Sequence, residues 1–259
     1  MLGTHFTLLA LSIAVALFAA LLAMVKAGRR FGMRAARDGD RGQSGLGGAE
    51  GAVYGLMGLL IAFSFSGAAS RFEKRRELLV AEANAIGTAY LRVDLLRAEH
   101  QPAIRAVFRQ YLDSRLAAYR KLPDMEASQA ELLRSQQLGT NLWRLALEAT
   151  RAAESPSVPM LFLPPLNEAF DVATTRAAQS FSHPPAAIFV MLVGLSLVSA
   201  FIVGFGMAGN EHSRLHQLAY AGVLACTIWV IVDLEFPRLG LIRVDAIDQV
   251  LVQTRRGMD

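Results

Sequence analysis

The chain has 259 residues, 53% of them hydrophobic and 19% charged, with a formal net charge of +4. That balance is too apolar for an ordinary soluble domain, and a single cysteine, Cys226, excludes an intrachain disulfide framework and argues against a thiolate metal site. The basic residues gather at the edges of apolar stretches, which points to lipid headgroups and membrane topology and not to nucleic acid.

Four stretches lack Lys, Arg, Asp and Glu: about 6–25, 52–69, 186–208 and 218–232. A bilayer core about 30 Å thick takes about 20 apolar residues of helix. The first and third are long enough outright, and the second and fourth lie near the lower limit. Met1–Thr7 carries no Lys or Arg, so the first stretch reads as a retained helix and not as a secretory signal. The expected fold is an all-α membrane protein with four transmembrane helices and a helical bundle inserted between the second and third.

The first hairpin covers residues 1–70. Lys26, Arg29, Arg30, Arg34, Arg37 and Arg41 follow the first span, and glycines between Gly39 and Gly51 make a flexible connector, so 26–51 is a basic, Gly-rich link. The second span has no breaker at its far end. Phe72, Leu79, Ala83, Ile86, Tyr90 and Val93 continue one helical face, which predicts a single helix from about Ala52 to Leu96.

Residues 71–185 form the inserted soluble helical domain. Pro102 suits the first turn of a helix ending at Pro123. Its apolar face runs through Ile104, Phe108, Tyr111, Leu112, Arg115 and Tyr119. Another helix spans about 126–154, and Ser155–Pro159 is a break. Pro164-Pro165 opens a further helix that His183-Pro184-Pro185 ends. No run alternates as a strand does. Residues 186–259 hold the second hairpin, a turn at Glu235–Gly240 and a short amphipathic helix near 245–255. The charge rule does not decide orientation, because the basic first loop is offset by Arg71–Arg76, Arg238, Arg243, Arg255 and Arg256.

Candidate sites lie along the second span. Ala62, Ser66 and Ser70 recur every four residues on one face, and Tyr54, Ile61, Phe65 and Phe72 lie on another, with Met57 beside Ile61. Small residues allow close helix packing. The same helix suits a pore lined by apolar rings and hydroxyls, with Met57, Ile61, Phe65, Ser66 and Phe72 as lining candidates. Arg71, Arg75 and Arg76, with the acids Asp233 and Glu235 at the end of the fourth span, are candidates for charge at a pore mouth. The more ordinary reading of the acids is an ion pair that fixes the helix end. Ser196, Ala200, Gly204 and Ala208 form a packing stripe on the third span.

Glu211, His212 and His216 form a weak candidate metal set in the loop between the third and fourth spans, and the composition implies no cofactor. Glu82, Asn84, Thr88, Tyr90, Arg92 and Asp94 put polar groups on the long helix, where a buried network is the ordinary outcome. No Gly-rich phosphate loop and no recognisable nucleophile–base order is present, so the chain does not read as an enzyme.

Several runs are similar to the bacterial bestrophin-like domain family. They are Glu50–Val53, Leu59–Ala68, Arg71–Arg76, Glu82–Arg92, His183-Pro184-Pro185 and Asp233–Asp245, and together they cover nearly the whole chain. The resemblance implies the span order of bestrophins, which are pentameric ion channels: two spans, a helical cytosolic domain, two more spans. It places the second span around a central pore with a constriction at Ile61 and Phe65, the inserted helices as a cytoplasmic vestibule, and the chain in a bacterial inner membrane. The sequence departs from bestrophins where Ala, Ser and Gly interrupt the regularly spaced bulky residues of their neck helix.

Two main functions follow. One is a homo-oligomeric, pentameric channel that passes inorganic ions passively through a pore lined by the second helix. The other is a non-conducting membrane scaffold or sensor whose helical domain binds a partner. A metal-dependent membrane enzyme using Glu211, His212 and His216 is a weaker third.

Overall fold

The computed structural model describes residues 2–37, 46–180, 182–207, 214–238, 240–242 and 248–259. These residues form α1 (Leu2–Arg37), α2 (Leu46–Leu91), α3 (Gln101–Arg120), α4 (Met125–Arg151), α5 (Ser157–Ser180), α6 (Ala186–Gly206), α7 (Arg214–Glu235) and α8 (Asp248–Arg256). A 3₁₀ turn at Arg92–Leu95 closes α2. No strand occurs among the described residues. Four helices, α1, α2, α6 and α7, are long and apolar enough to cross a membrane, and the chain is a membrane protein.

Three element boundaries differ from the sequence reading. α1 runs on to Arg37, so residues 26–37 of the expected link are helical. α2 begins at Leu46, so Gly47, Gly48 and Gly51 are helical and not part of the connector. Each glycine costs a helix about 1 kcal/mol relative to alanine, but a helix entering lipid keeps its backbone hydrogen bonds satisfied internally, and extending an existing helix is far easier than nucleating one. α5 begins at Ser157, so Pro164 and Pro165 lie inside it and do not open it. Phe162, on the turn before them, is fully buried. Burying it together with Leu166, also fully buried, contributes roughly 3–6 kcal/mol, comparable to the cost of about 3 kcal/mol for each of the two interior prolines.

The chain divides into two compact units. The first comprises Met1–Ser70 and His183–Leu241. Within it α1 packs against α6 and α7. The α1–α6 crossing is set by glycine: a Cβ on Gly28 would fall 1.9 Å from the Phe201 carbonyl oxygen, and one on Gly204 would fall 2.0 Å from that of Val25. Ser196, Ala200 and Gly204 of the small-residue stripe are buried, whereas Ala208 lies outside the described residues. The Ser199 and Tyr220 hydroxyls are hydrogen-bonded between α6 and α7.

The second unit comprises Arg71–Ser182 and Ile242–Asp259. Its core joins Leu79 and Ile86 of α2, Val93 of the 3₁₀ turn, Ile104, Phe108 and Leu112 of α3, Leu142 of α4, Phe162 and Leu166 of α5, and Leu251 of α8. Spacings of three, four and seven put each set on one side of its helix. Asp124 caps α4, accepting the Ala127 N–H at 3.0 Å. Sequence order groups α8 with the second hairpin; by contact it belongs with α3. The Tyr90 hydroxyl donates to the Met258 carbonyl at 2.7 Å and secures the residues after α8.

Candidate functional site

The second membrane helix stands apart from the other three. Only 6% of its most apolar window is buried, against 17%, 22% and 33% for α1, α6 and α7. Its two sides differ. Met57, Ile61 and Ser64 are half-buried and Ala68 is fully buried. The opposite side carries Gly55, Leu59, Ala62, Ser66 and Ser70, all exposed. Successive steps of three or four residues keep that row on one face. A Cβ on Gly55 or Gly58 would meet nothing within 4 Å.

The candidate lining residues therefore divide. Met57 turns toward α7, where the Tyr220 hydroxyl lies 4.0 Å from its sulfur, and Ile61 is on the same half-buried side. Phe65 is 45% exposed. It lines an apolar hollow of about 430 Å³ with Gly222, Val223, Cys226, Thr227 and Val230 of α7. Ser66 lies on the open row. Phe72, in the second unit, is half-buried.

The charged candidates are largely engaged within the protomer. Arg75 is buried, its Nε donating to the Gln179 carbonyl at 3.4 Å and its Nη2 to that of Ser182 at 3.0 Å. These carbonyls lie at and just beyond the C-terminal end of α5, where a cation is favoured. Arg76 pairs with Glu73 at 2.9 Å on the surface, and Arg71 is half-buried. Asp233 is buried and accepts the Leu241 N–H on both carboxylate oxygens, at 2.9 and 3.0 Å. Gly240 makes this possible, since a Cβ there would sit 2.1 Å from Asp233 Oδ1. Glu235 is fully buried, with its carboxylate 3.7 Å from His183 Nδ1. That ring stacks on Phe236 at 4.7 Å. The sequence reading, in which His183 only ends a helix, did not foresee this contact.

Glu211 and His212 also lie outside the described residues, and His216 is exposed in the first turn of α7. Among the described residues no three His, Cys, Asp or Glu side chains come together as metal ligands.

A buried charge network occupies the second unit. Glu82 is fully buried. It accepts from Arg115 Nε at 2.7 Å and from Arg176 Nη1. Arg115 also donates through Nη2 to the Tyr119 hydroxyl and the Ala173 carbonyl. Arg176 lies 4.0 Å over the Tyr119 ring and 3.5 Å from the Asp248 carboxylate. Burial alone would raise the Glu82 carboxyl; the two guanidinium charges and their hydrogen bonds outweigh it and hold the group below its usual range. Burial also pushes the Tyr111 phenol up, so it stays protonated. Glu82 and Arg115 are on faces visible in the sequence. Arg176 and Asp248 carried no local signal, because their partners lie on other helices.

Beside this network, α3, α4 and α5 enclose a groove of about 760 Å³. Leu132, Leu133, Trp143 and Phe170 supply apolar walls, and Ser135 and Thr140 add hydroxyls.

The family profile of the bestrophin-like domain matches residues 16–247. The chain belongs to the bestrophin-like family. Solved structures agree at the level of fold. A bacterial bestrophin homologue from Klebsiella pneumoniae superposes with a TM-score of 0.69 at 16% identity, covering 92% of this chain and 96% of that one. A structure described as a membrane protein superposes with a TM-score of 0.71 at 14% identity, covering 95% and 97%. No curated protein matches the chain. This bestrophin-like chain thus shares the bacterial homologues' architecture over nearly its full length, with little identity in the side chains that fill it.

Proposed function

We propose that this bestrophin-like chain assembles as a homo-oligomer around α2 and conducts ions passively through the space those helices surround. The observation that carries the reading is the open row Gly55, Leu59, Ala62, Ser66 and Ser70 on a span that its own protomer leaves almost uncovered. A lipid-facing helix has no need of that row. Glycine, alanine and serine on a helix face favour close approach of another helix or contact with water. Leu59 supplies an apolar ring of the kind that gates by dewetting, and Ser66 and Ser70 supply hydroxyl ligands for a partly dehydrated ion. Phe65 flanks the row and supports it from the α7 side. The pentameric count rests on the family resemblance, as does a bacterial inner membrane with the helical unit in the cytoplasm.

The test is cysteine scanning in liposomes. Cys226→Ser gives a cysteine-free chain, in which Leu59→Cys, Ala62→Cys, Ser66→Cys, Met57→Cys and Ile61→Cys are compared. A charged thiol reagent is expected to block ion flux at positions 59, 62 and 66 and to leave 57 and 61 nearly unchanged. Ion substitution in the same vesicles reads selectivity. Absence of flux from folded, oligomeric protein, under every salt and potential tried, would favour the scaffold reading. The groove of about 760 Å³ between α3, α4 and α5 supports that second reading, since it has the size and mixed lining of a ligand or peptide site.

A further inference from the structure

The basic run after the first apolar stretch does more than set topology. A hollow of about 500 Å³ lies between α1 and α7, lined on one side by Leu22, Lys26, Arg30 and Met33 and on the other by Arg214, Gln217 and Leu218, with Arg29 completing the α1 wall. Its position follows from helix geometry. Gly28 is pressed against the α6 backbone, so the residues two positions to either side, Lys26 and Arg30, face away from α6. Leu22 and Met33 fall on the same stripe. On α7, Arg214, Gln217 and Leu218 are spaced as neighbours on one face of its first turn.

Both helices change character at this level. The apolar stretch of α1 ends at Val25, and that of α7 begins at Leu218. The hollow therefore has apolar residues toward the spans and cations at their ends. Gln217 is 7% exposed and forms part of its floor. No Asp or Glu lines it among the described residues. Among the described residues, three of its cations, Lys26, Arg30 and Arg214, make no ion pair there. Three like charges converging on one hollow repel one another unless an anion is present.

We propose that this hollow binds the phosphodiester headgroup of an anionic phospholipid. Lys26, Arg30 and Arg214 contact the phosphate, and the acyl chains lie along Leu22 and Leu218. Free inorganic phosphate shares the anionic chemistry but has no use for the apolar side. Basic pockets between membrane helices bind acidic headgroups, and each basic residue near an anionic surface adds to the attraction, so three cations predict a preference of about 100-fold over a zwitterionic lipid.

The experiment uses the full chain in detergent, stripped of lipid. Phosphatidylglycerol and phosphatidylcholine of identical acyl chains are titrated separately, and bound lipid is counted by native mass spectrometry. Strong preference for phosphatidylglycerol is expected, with loss of that preference in the Lys26→Gln, Arg30→Gln, Arg214→Gln triple variant. A charge-keeping variant, Lys26→Arg with Arg30→Lys and Arg214→Lys, should retain it and serves as the folding control. Equal binding of the two lipids, or a preference that survives the glutamine variant, overturns the proposal. So does competition by inorganic phosphate at concentrations matching the lipid, which would make the hollow a free-anion site.

Discussion

Glu82 and Arg115 meet at 2.7 Å in a place where the first side chain is fully buried and the second is 4% exposed. The pair joins α2 to α3, and Arg176 extends it to α5. Such a pair is costly to bring out of water, so breaking it with one partner left behind is worse than never having it. Glu82→Gln leaves two guanidinium groups facing a neutral amide. It is expected to destabilise the helical unit by about 3–5 kcal/mol, read as a fall in denaturation midpoint. Replacing Glu82, Arg115 and Arg176 together by Leu, Met and Met should cost less than Glu82→Gln alone; a larger cost would show that the network itself carries the stability.

The same carboxylate gives a pH dependence with a definite sign. Its folded value is held below the usual 4.5. A group lowered on folding stabilises fully above its unfolded value, and that contribution is lost as pH falls through the folded value. Thermal stability should therefore decline below about pH 4.5. Melting curves of the native chain and Glu82→Gln should converge as acid is added. A difference that stays constant throughout would contradict the assignment.

Glycine contacts predict a contrast between the membrane helices. Gly28→Ala or Gly204→Ala would drive a methyl into backbone at 1.9 or 2.0 Å, which only a shift of α1 against α6 relieves. Overpacking of this kind costs about 1–3 kcal/mol, occasionally more, and should lower the melting temperature of the purified protein. Gly55→Ala and Gly58→Ala meet open space within the protomer. They should leave protomer folding unchanged and alter assembly or flux instead, as size-exclusion and vesicle assays would separate.

At the end of α7, Gly240→Ala is expected to break the Asp233 contact with the Leu241 N–H, because the methyl would occupy the space of Oδ1. Asp233→Asn keeps one acceptor and should be milder. Protease sensitivity near Leu241 measures both, and equal behaviour of the two variants would mean that the corner is held by something else.

Much of this fold was legible because membrane helices announce themselves by length. Four uncharged stretches gave four spans, and the spacing from Phe72 to Val93 correctly carried α2 beyond its apolar part. The starts of α2 and α5 were misread, since glycine and proline report local preference while lipid and the buried Phe162 set the outcome. The periodic row Ala62, Ser66 and Ser70 was visible in the sequence. Which side of α2 faces its own protomer was not, because that depends on contacts such as Met57 with Tyr220. Arg176 and Asp248 stayed hidden for the same reason, being separated in sequence from the Glu82 cluster they join.

The second unit is built from two pieces of chain, Arg71–Ser182 and Ile242–Asp259, with α6 and α7 made between them. Asp248 completes its charge network, Leu251 its core, and Met258 receives the Tyr90 hydroxyl. During synthesis, then, this unit waits. Its longest helices emerge early with Arg176 lacking the Asp248 carboxylate, and closure comes only after two more membrane helices have been translated. Translation of the second hairpin thus precedes completion of the first-made helical bundle, and a chain that stops between α7 and α8 would lack the Asp248, Leu251 and Met258 contacts that close it.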